Sequence, residues 1–182
     1  MIAAPTSNLA ALFKELDGYH ERVPLDLLTQ RLRALEFGWD VIEPFVRFAP
    51  DTYRRNLMRA GPAYHAMILC WRAGQRSPIH DHRGSSCGVR VLRGMCTETI
   101  FQRTDQGHIF PTRTRELPEG FCCGSQDADI HQISNLLPEG NDLITLHVYS
   151  PPLLVMGQYS LTESLRTEVV EPITDFTAGA GI

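Results

Sequence analysis

From Ala66 onward, the chain is a series of short runs rich in β-branched and aromatic residues. Clusters of glycine, proline, asparagine and aspartate separate these runs, in stretches such as RAGQRSP and LLPEGND. Short runs of this composition with frequent turn signals are typical of antiparallel β-sandwiches and barrels. The runs that we predict as strands include AMILCW, CGVRVL, CTETIF and DLITLHVYS.

The first 48 residues have a different pattern, in which apolar residues recur at helical spacing. Leucine and phenylalanine occupy positions i, i+3, i+4 and i+7 over 9–16, and leucines form a second apolar stripe over 25–35. These stripes predict two amphipathic helices, and a short third helix is predicted over 41–48. At 182 residues the chain suits one compact domain. We therefore predict a helical segment, residues 1–48, packed on a β-barrel, residues 49–182.

Charge and cysteine content exclude several classes of partner. The net charge is −4 at pH 7, and the 17 lysines and arginines are scattered, which argues against a nucleic-acid partner. No apolar run approaches the roughly 20 residues of a membrane span, and the N-terminus does not resemble a signal peptide. Five cysteines are an odd count, and adjacent Cys122 and Cys123 are an awkward disulfide pair. We therefore expect a cytoplasmic protein without a membrane partner.

Three histidines are candidate metal ligands. His80 and His82 are two residues apart in a strand-like run, so they point to one face while Asp81 points away. His131 comes much later, as expected if a barrel brings distant strands around one centre. Three neutral imidazoles suit Fe, Zn, Cu or Ni. The alternatives are core or surface histidines, or a Cys–His nucleophilic pair with Cys87, which needs one imidazole free as a base.

A second group of polar residues alternates along the run TLHVY. Thr145, His147 and Tyr149 share one face of this predicted strand, and Leu146 and Val148 share the other. A hydroxyl, an imidazole and a phenol in a row can form a hydrogen-bonded relay. The alternative is an amphipathic strand whose polar face meets solvent.

Two spaced sets of residues resemble the two cupin motifs: Gly74-x5-His80-x-His82-x4-Cys87-x6-Gly94 and His131-x3-Asn135. Most cupins have a glutamate ligand where this chain has Cys87, and a cupin with three histidines and no such carboxylate resembles the thiol dioxygenases, in particular cysteine dioxygenase. The segments YRRNL, MILCW, LRGMCTETIF and LHVYSPP also match, so the resemblance covers about 50–155. It implies a mainly β fold, a cupin-type β-barrel or small jelly roll, preceded by α-helices.

The resemblance also implies roles for the residues of the site. The three histidines, His80, His82 and His131, would hold one Fe(II) per chain, and Cys87 would not be a ligand. Tyr149 would position or protonate the bound oxygen species, His147 would hold the phenol, and Thr145 replaces the family's serine. Cys87 would lie across from Tyr149, where eukaryotic members of the family form a thioether crosslink and many bacterial members carry glycine. The alternative for Cys87 is a buried apolar thiol.

Arg55 is the candidate substrate-binding residue. A guanidinium forks onto a carboxylate through two parallel hydrogen bonds. In YRRN, Arg55 matches the family arginine that holds the carboxylate of cysteine, with Tyr53 as its neighbour. Related enzymes that oxidise 3-mercaptopropionate carry glutamine at this place, so arginine favours cysteine.

The resemblance therefore implies an enzyme, a non-haem Fe(II) dioxygenase that adds both atoms of O2 to the sulfur of L-cysteine to give cysteine sulfinic acid. Its partners would be a small-molecule thiol and O2, and we expect a monomer or a weak homo-oligomer. The alternatives are a 3-mercaptopropionate dioxygenase and a metal-binding cupin without catalytic activity.

Overall fold

A computed structural model describes residues 7–127, 129–164, 166–170 and 173–175. Its helices are α1 (Leu9–Leu16), α2 (Leu25–Arg33) and α3 (Trp39–Ile42), followed by a 3₁₀ helix (Glu43–Phe45). Its strands are β1 (Arg54–Ala60), β2 (His65–Trp71), β3 (Ile79–His80), β4 (Ser86–Arg93), β5 (Met95–Arg103), β6 (Ile109–Pro118), β7 (Cys122–Gln126), β8 (Ile130–Ser134), β9 (Leu143–Ser150), β10 (Val155–Tyr159), β11 (Thr167–Val170) and β12 (Thr174–Asp175).

The strands of the described residues form two six-stranded sheets that face each other. Sheet A has the order β12-β1-β2-β9-β4-β7, and sheet B has the order β11-β10-β3-β8-β5-β6. Neighbouring strands are antiparallel, apart from the parallel contact between β1 and β12. Side chains from both sheets share one buried cluster, which includes Leu69 and Val91 of sheet A with Leu117 and Ile133 of sheet B. The prediction of a mainly β fold preceded by α-helices is confirmed.

Strand β9 in the middle of sheet A is buried on both faces, because the helices cover its outer face. Along β9, Ile144, Leu146 and Val148 belong to the buried cluster beneath the helices. Thr145 and His147, which alternate with them, point into the space between the sheets, and they are 0% and 3% exposed. The alternative in which the polar face of this strand meets solvent is therefore wrong.

The helices form where the apolar stripes predict them, with one shift of boundaries. α1 buries Leu9, Leu12 and Leu16, and α2 begins directly after Pro24, which needs no amide partner at a helix start. The predicted third helix over 41–48 is instead α3 and the 3₁₀ helix, since Pro44 lacks the N–H that would continue the α-helical ladder. Within the described ranges, no helix has the length and apolar character to cross a membrane. The division into 1–48 and 49–182 stays a prediction.

Two glycines make the surface on which α2 packs. Gly88 of β4 and Gly124 of β7 are directly opposite each other in sheet A. A Cβ atom at Gly88 would lie 2.8 Å from Leu32 Cδ1 and 3.1 Å from Leu28 Cβ, and one at Gly124 would lie 2.6 Å from Leu25 Cδ1. The helix can approach the sheet this closely because neither strand carries a side chain there.

Gly88→Ala is therefore expected to destabilise the fold by about 1–3 kcal/mol through overpacking against α2. Urea unfolding followed by circular dichroism measures this change. In a Leu32→Ala background the space is larger, so the same substitution should cost clearly less. An equal cost in both backgrounds would show that contact with α2 is not the cause.

Candidate metal centre

Three buried histidines converge between the sheets. His80 of β3 and His131 of β8 are directly opposite each other, and His82 follows two residues after His80. Their ligand nitrogens all lie within 4.8 Å of one another. Strand β3 ends at His80, yet Asp81 still points away from the cluster, where it accepts hydrogen bonds from the Gly157 amide and other donors. The structure thus brings the three predicted ligands together.

Each imidazole in this cluster uses one ring nitrogen in a contact with the protein. These contacts join His80 Nδ1 to the Pro78 carbonyl at 2.9 Å, His131 Nδ1 to Glu98 Oε1 at 2.9 Å and His82 Nε2 to Ser125 Oγ at 3.4 Å. A neutral imidazole that donates through one nitrogen keeps a lone pair on the other. His82 Nδ1 is buried with no hydrogen-bond partner among the described residues. A metal ion would satisfy these remaining nitrogens.

Burial keeps His80 and His82 neutral, because it lowers the pKa of each imidazole. It lowers the pKa of His80 to about 3, with a further contribution from the neighbouring His131, and it lowers the pKa of His82 well below its ordinary value. Neutral imidazole is the form that binds metals. A set of three nitrogen donors suits a first-row transition metal, whereas Mg²⁺ and Ca²⁺ prefer oxygen ligands.

A chain of hydrogen bonds runs along the inner face of β9. The Tyr149 hydroxyl lies 3.0 Å from His147 Nδ1, and His147 Nε2 lies 3.0 Å from Thr145 Oγ1. Trp71 Nε1 donates to the same Thr145 oxygen at 3.1 Å. Trp71 is buried in the core, and its indole also anchors this row of hydrogen bonds. These hydrogen bonds can keep the phenol proton on Tyr149 or let it move to His147. Either is possible because a neutral imidazole can carry its proton on Nδ1 or on Nε2.

Cys87 of β4 is directly opposite Tyr149 of β9. Both side chains are buried, and Cys87 Sγ lies 3.8 Å from His147 Nδ1. Burial raises the pKa of the Cys87 thiol and that of the Tyr149 phenol above their ordinary values. A thiol held neutral is a poor nucleophile, which argues against the Cys–His hydrolase alternative.

Arg55 places a buried cation beside Tyr149. The residue is 3% exposed, and its Cζ lies 5.5 Å from the centre of the Tyr149 ring. Nη2 donates to the Leu153 carbonyl at 3.1 Å, but Nε and Nη1 are buried without a hydrogen-bond partner among the described residues. Buried charges without partners are destabilising. The two open donors therefore indicate a site for an anion such as a carboxylate.

Tyr53 and Trp71 form one wall of a small enclosed cavity at the centre. Their rings stack with centroids 4.1 Å apart and an interplanar angle of 9°. His80, His82, His131, His147 and Tyr149 also line the cavity, together with the apolar residues Leu69, Ile133 and Met156. The lining of the cavity therefore offers both polar and apolar contacts.

Glu98 of β5 is a residue of this region that sequence reasoning missed. Its carboxylate is 5% exposed and contacts both His131 Nδ1 and, at 2.5 Å, Arg115 Nε. Burial by itself would raise the pKa of Glu98, but the hydrogen bonds and charges of His131 and Arg115 outweigh burial and lower it. The available signal was a single glutamate within the predicted strand CTETIF. A carboxylate is rarely buried unless it has a partner, so a glutamate in a core strand indicates a paired side chain.

Comparison with known proteins places the chain in a family. The model of the family described as cysteine dioxygenase type I matches residues 8–162. The chain belongs to this family. The match includes the N-terminal helices as well as the barrel, and it confirms the family predicted from the two histidine motifs.

Curated members of the cysteine dioxygenase type I family resemble part of this chain. Cysteine dioxygenase type 1 of Danio rerio is 35% identical over 113 residues, and that of Homo sapiens is 34% identical over 112 residues. Each alignment covers 59% of this chain and 56% of the relative, so the chain matches about half the length of these relatives.

A solved structure supports the fold. BH2720 from Bacillus halodurans is 16% identical, has a TM-score of 0.50, and is matched over 64% of this chain and 81% of its own. This likeness concerns the fold alone. The predicted cupin-type β-barrel with N-terminal helices is confirmed.

Proposed function

We propose that this chain is a cysteine dioxygenase that adds both atoms of O2 to the sulfur of L-cysteine to give cysteine sulfinic acid. The observation that carries the proposal is the arrangement of three buried histidines around a small cavity, with the open donors of Arg55 beside the Tyr149 ring that lines it. Membership of the cysteine dioxygenase type I family supports the reaction class.

The proposed metal is one Fe(II) per chain, held by His80, His82 and His131. Three neutral ligands leave the full charge of the ion in place and leave several coordination positions open. When bound, Fe(II) would supply the redox chemistry that the reaction of O2 with a thiolate requires. The lone pairs in the cluster and the burial of its rings support this assignment.

The protein residues would orient the substrate and manage one proton. Nε and Nη1 of Arg55 are open donors, and one of them would donate a charge-assisted hydrogen bond to the carboxylate of cysteine, which would fix the sulfur relative to the histidines. Stacking of Tyr53 on Trp71 holds the cavity wall in place. Tyr149 would donate its hydroxyl proton toward the reacting atoms, and His147 and Thr145 would hold the phenol in position.

Arg55 bears on both alternative functions. Related enzymes that oxidise 3-mercaptopropionate carry glutamine at the place of Arg55, so the arginine favours cysteine as the substrate. A metal-binding cupin without catalytic activity would have no use for a buried guanidinium with two open donors, which lowers the stability of the fold. Both observations favour the cysteine dioxygenase.

Oxygen uptake by the iron-loaded protein tests the proposed function. L-cysteine, 3-mercaptopropionate and cysteamine are supplied separately, and O2 consumption and sulfinate formation are recorded. We expect uptake to be fastest with L-cysteine at a low concentration. No uptake with any of the three thiols would reject the proposal, and uptake chiefly with 3-mercaptopropionate would favour the alternative substrate.

We also propose a thioether bond between Cys87 and Tyr149. Their positions directly opposite each other on β4 and β9 support it. The bond joins sulfur to a ring carbon, and the thiol and the ring each lose one hydrogen while O2 is the oxidant. Intact mass is therefore expected to fall by two hydrogens after turnover, and Tyr149→Phe or Cys87→Ser should abolish this change. An unchanged mass after many turnovers would contradict the crosslink.

The proposed compartment is the cytoplasm, and the proposed assembly is a monomer or a weak homo-oligomer. Each of the five cysteines lies within the described ranges and is a free thiol, which suits a reducing compartment. The proposed partners are the small-molecule thiol and O2. Light scattering over a range of protein concentrations would measure the assembly state.

A further inference from the structure

A row of side chains crosses sheet B from its edge to the metal centre. Arg115 of the edge strand β6 is directly opposite Glu98 of β5. Glu98 pairs with Ile133 of β8 and Ile100 pairs with His131, so Glu98 and His131 are diagonal neighbours on one face. His131 is in turn opposite His80. The register of strands β6, β5, β8 and β3 therefore places the Arg115–Glu98 ion pair against Nδ1 of His131, a candidate metal ligand.

The donor and the acceptor of each hydrogen bond in this row can be assigned. His131 Nδ1 lies 2.9 Å from Glu98 Oε1, and Arg115 Nε donates to Glu98 Oε2 at 2.5 Å. An ionised carboxylate accepts hydrogen bonds only, so His131 must donate through Nδ1 and keep its lone pair on Nε2. A carboxylate in this position also makes the imidazole a stronger donor to a metal. The side chain of Glu98 is 5% exposed and that of Arg115 is 28% exposed.

We infer that Glu98 is a positioning residue for the metal centre, which fixes the tautomer of His131 and strengthens its donation to a metal. The inference rests on the metal site in the proposed function, but it concerns metal affinity rather than turnover. A salt bridge with a purely structural role would contribute equally through either partner. A role through His131 requires Glu98 and does not require Arg115.

Titration with Co²⁺ against a competing chelator tests the inference on the purified full chain. Glu98→Gln removes the charge and lets the amide oxygen or nitrogen face the ring, so Co²⁺ affinity is expected to fall about 10- to 100-fold. Arg115→Gln leaves the carboxylate on His131, so its affinity should stay at least as high as that of the wild type. Glu116→Gln, an exposed neighbour of Arg115 on the same strand, is the matched control and should bind like the wild type.

A groove on the outer side of the row permits a rescue experiment. The groove has a volume of about 520 Å³, and its lining includes Glu98, Arg115, Ser125 and His131. In Glu98→Ala, added acetate can enter from the groove, pair with Arg115 and accept the hydrogen bond of His131. Acetate should then restore part of the lost Co²⁺ affinity in Glu98→Ala, with no comparable gain in the wild type or in Glu98→Gln.

Two results would overturn the inference. One is a Co²⁺ affinity of folded Glu98→Gln within a factor of two of the wild type. The other is an equal loss in Arg115→Gln, which would show that the salt bridge acts only as a structural unit; this result can be obtained even if the Glu98 variants do not fold. Because Co²⁺ binding needs no thiol or O2, a failure of the proposed dioxygenase activity would leave these outcomes readable.

Discussion

Arg55→Met is expected to lower kcat/KM for L-cysteine about 30- to 5,000-fold, because loss of a buried charged partner costs about 2–5 kcal/mol. In the structure the guanidinium has two buried donors without partners among the described residues, and the carboxylate of the substrate would pair with this charge. Methionine keeps an unbranched chain of similar length, so the shape of the cavity should change little. Initial rates of O2 uptake at several cysteine concentrations measure the effect.

The same substitution should stabilise the ligand-free protein. Replacing a buried charge that lacks partners by an apolar side chain is often neutral or stabilising by about 1–4 kcal/mol. Arg54→Met is the matched control, since neighbouring residues of β1 point to opposite faces of the sheet. It should leave kcat/KM for cysteine unchanged. Retention of wild-type kcat/KM by Arg55→Met would show that this guanidinium does not bind the substrate.

His82→Ala is expected to remove stabilisation of the fold by metal. A ligand at a concentration one hundred times its Kd stabilises the native state by about 2.7 kcal/mol, which corresponds to a Tm increase of about 5–10 °C for a chain of this size. The wild type should show this increase with Fe(II) under anaerobic conditions or with Co²⁺. His82→Ala keeps only two of the three imidazoles, so the same metal concentration should not raise its Tm. Its O2 uptake should also be lost.

His108→Ala is the control for this experiment, because His108 is exposed beside the turn between β5 and β6 and is not one of the three clustered histidines. Its metal-dependent Tm increase should equal that of the wild type. If His82→Ala retained the full increase, the metal would bind at another place and the three-histidine centre would be wrong.

Much of the candidate site is predictable because strand alternation is a local property. The spacing of His80 and His82 places both rings on one side, and the alternation in TLHVY places Thr145, His147 and Tyr149 together. Neither prediction depends on knowing which strands are neighbours in the sheet. The antiparallel strands and the amphipathic helices follow from periodicity in the same way.

The contacts that the sequence did not reveal depend on the register between strands. Glu98 reaches His131 because β5 and β8 pair with a diagonal offset, and no feature of CTETIF by itself specifies this offset. The hydrogen bond from Trp71 to Thr145 likewise depends on the pairing of β2 with β9. The boundaries of the third helix also changed, since Pro44 interrupts the helical ladder within the predicted range.

The most direct test of the central claim is turnover of L-cysteine by the iron-loaded protein under ¹⁸O2, followed by mass spectrometry of the product. A dioxygenase that transfers both oxygen atoms to sulfur should give cysteine sulfinic acid in which both added oxygens carry the label. Product formation should require the metal and should decrease strongly in Arg55→Met. Cysteine sulfinic acid with one labelled oxygen, or cystine as the sole product, would contradict the account.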